Sequence, residues 1–255
     1  MNKVTKYVVY DIVRNRFVMG YTLLLLAITM SFFGFESDPN KGLLSLLNII
    51  LMVVPLVSII FSTIHFYNSY EFIELMSAQP LSRKSIFLSE YTGVAASLSL
   101  AFLVGVGIPT MLFDGSSRGV ILLISGLLLT LAFISLAFLA AVITRDKAKG
   151  IGIALVIWFY FALVYDGLVL GILFSFSDYP LEKAMLILTA LNPTDLARIM
   201  VLMKMDISAL MGFTGAVFQD FFSTNYGLLI ALGILLLWVV WPVALATRIF
   251  NRKDL

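Results

Sequence analysis

Residues 120–143 read VILLISGLLLTLAFISLAFLAAVI, a run of 24 residues without a charged side chain. About 20 apolar residues are enough for a helix to cross the hydrocarbon core of a bilayer. Comparable runs recur along the chain, which is 61% hydrophobic and 13% charged and has a mean hydropathy of +1.03. A soluble domain lacks the polar surface needed to cover so many apolar side chains. The sequence therefore predicts an all-α polytopic membrane protein.

Six spans are predicted from these runs, and the whole chain reads as one transmembrane domain. Residues 1–16 precede the first span, 17–176 hold spans one to five, 177–225 form an outer helical segment, and 226–255 hold span six and a tail. The spans have the approximate bounds Phe17–Phe35, Leu43–Phe66, Tyr91–Phe113, Val120–Ile143, Ile151–Phe176 and Tyr226–Thr247.

The N-terminal residues predict an amphipathic helix at the membrane surface. Val4, Val8 and Ile12 recur at four-residue spacing, which gives one apolar stripe. Such a helix lies at the interface with its basic side chains toward anionic headgroups. The alternative is an ordinary basic leader before the first span. The basic residues of this segment are Lys3, Lys6, Arg14 and Arg16.

The distribution of basic residues predicts the orientation. Twelve of the 17 lie in the N-terminus, the loops 67–90 and 144–150, and the tail. Because cytoplasmic loops carry an excess of lysine and arginine, both termini are predicted to be cytoplasmic, as an even number of spans requires. The five basic residues of the opposite side are Lys41, Arg118, Lys183, Arg198 and Lys204.

The usual catalytic and metal-binding motifs are absent from the sequence. The chain has no cysteine, and it contains no G-x-x-x-x-G-K-[ST], H-E-x-x-H or G-x-S-x-G. A single imidazole forms neither a metal site nor a proton relay, so His65, the only histidine, is interpreted as an interfacial polar residue. We expect no catalysis and no bound cofactor on this chain.

Two cytoplasmic loops carry features that could contact a partner. Residues 70–84 read YEFIELMSAQPLSRK, which predicts a short amphipathic helix that ends before Pro80. An amphipathic helix of this kind can dock into a groove on a partner, and the alternative is a solvated loop. The loop 144–150, TRDKAKG, is basic and would alone pass as an anchor at the membrane edge.

Asp166 lies near the middle of span five. An ionised aspartate at the centre of a bilayer costs about 2.5 to 3.5 kcal/mol on insertion scales. It should therefore face the protein interior, a water-filled cavity or a partner, or stay protonated. A functional role and a buried hydrogen bond between helices remain alternatives.

The outer segment contains LEKAMLILTAL, which is apolar but too short to span. It predicts helices on the outer surface or a re-entrant hairpin packed against the spans. The following Asn192-Pro193-Thr194-Asp195 predicts a helix start, with Asn192 as the cap, Pro193 at the first position and Asp195 bonding back. That helix is predicted to run to Gly212 or Gly215.

Methionines are concentrated in the same region. In an unbroken helix Met200, Met203 and Met211 would share one face. Thioethers are soft ligands that suit Cu(I), so the three are weak candidates for a copper site. Methionine is also a filler of irregular apolar contacts, and this interpretation is preferred. The five methionines in or just before the segment are Met185, Met200, Met203, Met205 and Met211.

Three short motifs carry a resemblance to a known family. They are LNPTD at 191–195 followed by Arg198, LVYD at 163–166, and QPLSR at 79–83. Together with the layout of helices over nearly the whole chain, they resemble the permease subunits of type V ABC transporters. Within that group the chain is most similar to the NosY permeases of the NosDFY system, which matures nitrous oxide reductase.

The resemblance implies an assembly in the bacterial inner membrane. This chain would form a homodimer with two NosF-like cytoplasmic ATPases, which bind ATP and Mg²⁺, and with a periplasmic NosD-like protein that handles copper, joined by a copper chaperone. Membrane lipid is an expected partner and nucleic acid is not. Residues 71–79 would form the main coupling helix, residues 145–150 a second one, and residues 177–225 the periplasmic dock.

The resemblance also assigns roles to individual residues, and it leaves rivals open. The chain departs from its relatives at residues 67–70, YNSY, where an acidic, glycine-containing run is usual, so the ATPase contact would be built differently. Rival functions are an exporter of a lipid or other hydrophobic compound, an intramembrane enzyme that uses Asp166, and a passive anchor. The ATPase contacts would be Glu71, Phe72, Glu74, Leu75, Pro80, Arg83, Arg145 and Lys147, and the periplasmic contacts Asn192, Asp195, Arg198, Met200 and Met203.

Overall fold

The structure is a computed structural model that describes residues 2–36, 39–176, 182–205 and 225–252. Every regular element within these ranges is a helix. In chain order the helices are α1 (Asn2–Val13), α2 (Arg16–Phe35), α3 (Pro39–Asn68), α4 (Tyr70–Ser77), α5 (Arg83–Phe102), a π-helical turn (Leu103–Gly107), α6 (Ile108–Phe113), α7 (Ser117–Ile143), α8 (Lys147–Phe159), a second π-helical turn (Tyr160–Val164), α9 (Tyr165–Ser175), α10 (Glu182–Ala190), α11 (Pro193–Lys204) and α12 (Asn225–Arg252).

Six of the described segments are long and apolar enough to cross a membrane, which confirms the predicted fold class. Span three begins at Arg83 instead of near Tyr91 because Ser82 caps it, with its side chain accepting a hydrogen bond from the amide of Ser85 at 3.2 Å. The spans are Arg16–Phe35 (one), Asn40–Asn68 (two), Arg83–Phe113 (three), Ser117–Ile143 (four), Lys147–Ser175 (five) and Tyr226–Arg252 (six).

Span four lies at the centre of the bundle. Its apolar and small residues are buried on nearly every side, and Phe133 and Phe138 are fully buried. Gly126 admits Phe102 of span three, because a Cβ at that glycine would lie 2.4 Å from Cζ of the ring. Spans five and six are mostly exposed, so their apolar surfaces face lipid or another subunit.

The surface helix α1 packs against span three. Val8 and Ile12 of its apolar stripe are buried, as the predicted amphipathic pattern requires. The backbones approach closely at Gly93, where a Cβ would lie 2.4 Å from a methyl group of Val8. The helix ends at Val13 instead of continuing to Arg16, because Asn15 caps span one by accepting from the amide of Phe17 at 2.8 Å.

The described parts of the two chain ends lie at one end of the bundle. Helix α1 stacks Tyr7 on Phe72 of α4, with ring centroids 6.0 Å apart, and Arg248 of span six shares a groove with Lys84 at the start of span three. We call this the basic end; it also carries residues 144–147. Span five runs from the basic end to the opposite end of the bundle, and span six runs back to the basic end. Helices α10 and α11 are bent by 114° at the break between them, as in the predicted re-entrant hairpin, and we call the pair the hairpin.

Candidate functional site

The first part of the site is the short helix α4 at the basic end. Ile73 is fully buried and holds the helix on the bundle, while Glu71 and Glu74 are exposed. Leu75 is 70% exposed, so an apolar side chain shares the outer face with the two carboxylates. The helix covers Tyr70–Ser77, and its end before Pro80 agrees with the sequence pattern. This is the composition of a helix that docks into an apolar, basic groove.

The predicted second coupling helix, residues 145–150, is not a separate helix in the structure. Asp146 caps α8, because its carboxylate accepts hydrogen bonds from the amides of Ala148 and Lys149 at 2.8 and 3.1 Å. Lys147 is therefore the first residue of span five. A motion of this segment is consequently a motion of the span itself. Arg145 and Lys147 are both exposed.

Tyr67 and Asn68, at the end of span two, bind the end of span four and the start of span five. The hydroxyl of Tyr67 donates to the carbonyl oxygens of Ala141 and Thr144, at 3.2 and 3.1 Å. The ammonium of Lys147 donates to Oδ1 of Asn68 at 2.7 Å. Both residues belong to residues 67–70, YNSY. Here that stretch joins the ends of spans two and four to the start of span five.

Gly150→Ala is expected to loosen this junction. A Cβ at Gly150 would lie 2.1 Å from the Tyr67 hydroxyl oxygen, so the ring must move and its hydrogen bonds weaken. Overpacking of this kind costs about 1 to 3 kcal/mol of unfolding free energy. Unfolding in SDS mixed micelles measures it. Gly152→Ala is the matched control, because no atom lies within 4 Å of a Cβ there; equal stability of the two variants would contradict the prediction.

The sequence interpretation missed Glu90. This carboxylate is 1% exposed and lies 3.2 Å from Nε2 of His65, which also lies 3.3 Å from the hydroxyl oxygen of Ser69. A span that starts at Tyr91 leaves Glu90 in a loop, whereas the observed span places it two turns inside. His65 is thus a paired residue that links spans two and three.

The second part of the site is a polar cluster between span five and the hairpin. One guanidinium nitrogen of Arg198 donates to Asp166 Oδ2 at 3.0 Å and to Asp195 Oδ1 at 2.9 Å. Asn192 caps α11 by accepting from the amide of Thr194 at 2.9 Å. Its side-chain amide donates to Asp195 Oδ2 at 3.0 Å, so Asp195 bonds back to the cap through side chains. The cluster confirms the predicted helix start.

Three hydrogen bonds fix the depth of the hairpin. Asn192 donates to the carbonyl of Phe161 at 3.0 Å, within the π-helical turn of span five. The Tyr165 hydroxyl donates to the carbonyl of Leu188 at 2.6 Å, and the indole of Trp238 donates to that of Ala190 at 3.1 Å. Phe161 and Trp238 lie near the midpoints of their spans, so the turn of the hairpin reaches the middle of the bundle. Single π turns of this kind are common at functional sites.

The charges of the cluster balance only in part. One cation faces two carboxylates, and Asp166 and Arg198 keep exposed side-chain fractions of 35 and 33%. A cavity of about 170 Å³ opens beside them, lined by Arg198, Thr194 and Asn48 of span two. Charged groups within a membrane are tolerated when they pair and face a polar cavity. Asp166 therefore has the partner that its position requires, and that partner, Arg198, lines the cavity.

Three of the residues predicted to contact a periplasmic partner lie inside the fold. Asn192, Met200 and Met203 are buried, so a docking partner would not touch their side chains in this conformation, and periplasmic docking stays a prediction for the hairpin. Helix α11 ends at Lys204 instead of Gly212 or Gly215. Gly212, Gly215 and Met211 lie outside the described residues. Among the described residues no group of three or more histidine, aspartate or glutamate side chains could hold a metal ion.

Comparison with known proteins identifies the family. Residues 6–255 match the description "ABC-2 family transporter protein". The chain is 27% identical to the "Probable ABC transporter permease protein NosY" of Pseudomonas aeruginosa over 266 residues, covering 96% of this chain and 95% of the relative. It is 28% identical to the protein of that name from Stutzerimonas stutzeri, over 95% of both chains. The chain belongs to the ABC-2 family of transporter proteins and is a multi-pass permease subunit similar to NosY.

Proposed function

We propose that this permease passes the motion of a separate cytoplasmic ATPase to a periplasmic partner that handles copper during nitrous oxide reductase maturation. The assembly would contain a homodimer of this chain, two NosF-like ATPases and a NosD-like protein. Both termini would be cytoplasmic in a bacterial inner membrane, which the excess of basic residues at the basic end supports. ATP hydrolysis would belong to the ATPase chains.

One observation carries the proposal: span five joins both parts of the site. At one end, Lys147 contacts Asn68 at 2.7 Å, beside α4. In its middle, Phe161 and Asp166 bind the hairpin through Asn192 and Arg198, at 3.0 Å each. A tilt of span five imposed by an ATPase therefore pulls directly on the hairpin, and rigid-body motions of helices are an established means of transmission.

Span five also supports the homodimer. It is a long span with few buried residues, and its exposed side carries Gly167 and Gly171, four residues apart, with nothing near either Cβ position. Small residues at this spacing let two helices approach closely in a membrane. A second copy placed there would set two span-five helices side by side, so that two ATPases move them together.

Reconstitution distinguishes this function from the export of a hydrophobic compound. The permease and its ATPase are placed in proteoliposomes, and ATP hydrolysis is measured with either the copper-binding periplasmic partner or additional lipid. Stimulation by the periplasmic partner is expected. Stimulation by lipid alone, with no response to that partner, would favour the exporter and overturn the proposal. Asp166→Asn with full ATPase coupling would exclude an enzyme that uses Asp166 as an acid or base.

Charge reversal of α4 should detach the ATPase. Glu71→Arg with Glu74→Arg places two cations where the proposal puts a basic groove, and like charges facing each other cost several kcal/mol in an interface. We expect the amount of ATPase that co-purifies to fall at least about tenfold. Glu36→Arg, at an exposed position on the opposite end, is the matched control. An unchanged yield from the double variant would show that α4 has no coupling role.

A further inference from the structure

A groove runs along the outside of the bundle between spans three and six. It has a volume of about 480 Å³, and its floor is formed by apolar side chains that include Leu88, Val240 and Ala244. At the basic end it is closed by Lys84, Arg248 and Asn251. The groove therefore has an apolar body and a cationic, hydrogen-bonding head. None of the residues used by the proposed coupling route lines it.

The two cations of the groove are available to a ligand. Lys84 and Arg248 are exposed, and among the described residues no carboxylate lies within ion-pair distance of either. They come from different spans, which places two positive charges at one point of the membrane edge. An anionic group held there would receive charge-assisted hydrogen bonds from a guanidinium and an ammonium.

The length of the groove matches one leaflet. It extends from Val239, near the middle of span six, to Asn251 near its end. Twelve residues of helix cover about 18 Å. Half of the hydrocarbon core measures about 15 Å. An acyl chain lying on the apolar floor would thus place its headgroup phosphate beside Lys84 and Arg248.

We propose that this groove binds one anionic phospholipid from the leaflet at the basic end. Apolar contact holds the chains, and Lys84, Arg248 and Asn251 hold the phosphate. Basic pockets between spanning helices on the cytoplasmic side are a known type of lipid site. A second groove, between spans one and three, has a volume of about 330 Å³ and lacks charged residues in its lining, so it offers no such preference. The bound lipid is a component of the membrane and is distinct from any transported cargo.

Native mass spectrometry of the permease–ATPase complex tests the proposal with phosphatidylglycerol and phosphatidylcholine. Each basic residue near the surface of an anionic lipid contributes about fivefold in affinity. Lys84→Gln with Arg248→Gln should therefore weaken phosphatidylglycerol binding about 30-fold and leave phosphatidylcholine binding unchanged. Arg252→Gln removes an exposed cation of the same helix that does not line the groove, and it should change neither.

Any one of four results would overturn the inference. The double variant could retain the affinity of the unmodified protein for phosphatidylglycerol, or Arg252→Gln could weaken binding equally. Inorganic phosphate could compete at equal concentration, which would make the ligand a soluble phosphate. The fourth result concerns a second copy of the chain. Because the protein has no cysteine, Ala244→Cys introduces a single thiol, and a disulfide-linked dimer would show that another subunit fills the groove. An Ala244→Cys protein that forms no disulfide-linked dimer on oxidation supports the lipid.

Discussion

Arg198→Met should lower the free energy of unfolding by about 2 to 3 kcal/mol, because it leaves two carboxylates without their shared cation at membrane depth. This is less than the roughly 3 to 5 kcal/mol typical of broken buried ion pairs, since the exposed fractions of 33% for Arg198 and 35% for Asp166 allow some screening. Unfolding in SDS mixed micelles measures the stability. Stimulation of the ATPase by the periplasmic partner should also fall, while basal ATP hydrolysis remains.

Two further variants distinguish the loss of the Arg198 charge from the loss of its side-chain packing. Lys204→Met removes an exposed cation from the last turn of the same helix and should have little effect. A triple variant, Asp166→Asn, Asp195→Asn and Arg198→Met, removes the whole set of charges. It should regain most of the lost stability, because replacing a complete ion cluster is tolerated better than removing one partner. A triple variant as unstable as Arg198→Met would show that the cation acts through packing alone.

Asn192→Ala should destabilise the protein by about 3 kcal/mol, since one fully buried side chain makes three hydrogen bonds. The substitution removes the cap of α11 and leaves the carbonyl of Phe161 without its donor from the hairpin. Loss of the cap accounts for about 1 kcal/mol and the unpaired groups for the rest. The same SDS titration detects it. Faster proteolysis of the hairpin in the folded protein would give independent support.

Asn48→Ala provides the comparison for this variant. Asn48 lines the same cavity, but its side chain is exposed, so truncation leaves no buried group unpaired. Its stability should stay within about 0.5 kcal/mol of the unmodified protein. If Asn192→Ala were as mild as Asn48→Ala, the hairpin would be held by apolar packing instead of by these hydrogen bonds.

The fold was predictable because hydrophobic length is a local property. Each spanning run is visible in the sequence, and so is the start of α11, because Asn192 and Pro193 act on their own helix. The ends of the spans were less certain. Span three begins at Arg83 because polar residues can occupy the first turns of a helix at the membrane edge, and this displacement hid Glu90 from the sequence interpretation.

The site was predictable only as separate residues. Asp166 and Arg198 stand 32 positions apart, and no periodicity connects them. Their pairing depends on how far the hairpin enters the bundle, which tertiary hydrogen bonds from Tyr165 and Trp238 decide. Asp146 illustrates the opposite case. A capping aspartate followed by a helix was visible in the sequence, but the expected family arrangement favoured a separate second coupling helix.

Because of the π-helical turn at Tyr160–Val164, the orientation of α9 depends on the number of residues that precede it in span five. A π turn amounts to one inserted residue, which shifts the angular phase of everything beyond it by about 100°. A deletion of Ala162 that restores a regular α-helical turn would leave Asp166 facing Arg198, because the lost residue and the lost π turn compensate, whereas a deletion outside the π turn would rotate Asp166 away by about 100°. The number of residues between the Asp146 cap and Asp166 therefore matters as much as their identity. Single-residue insertions or deletions between the Asp146 cap and the π turn should be tolerated far less than substitutions.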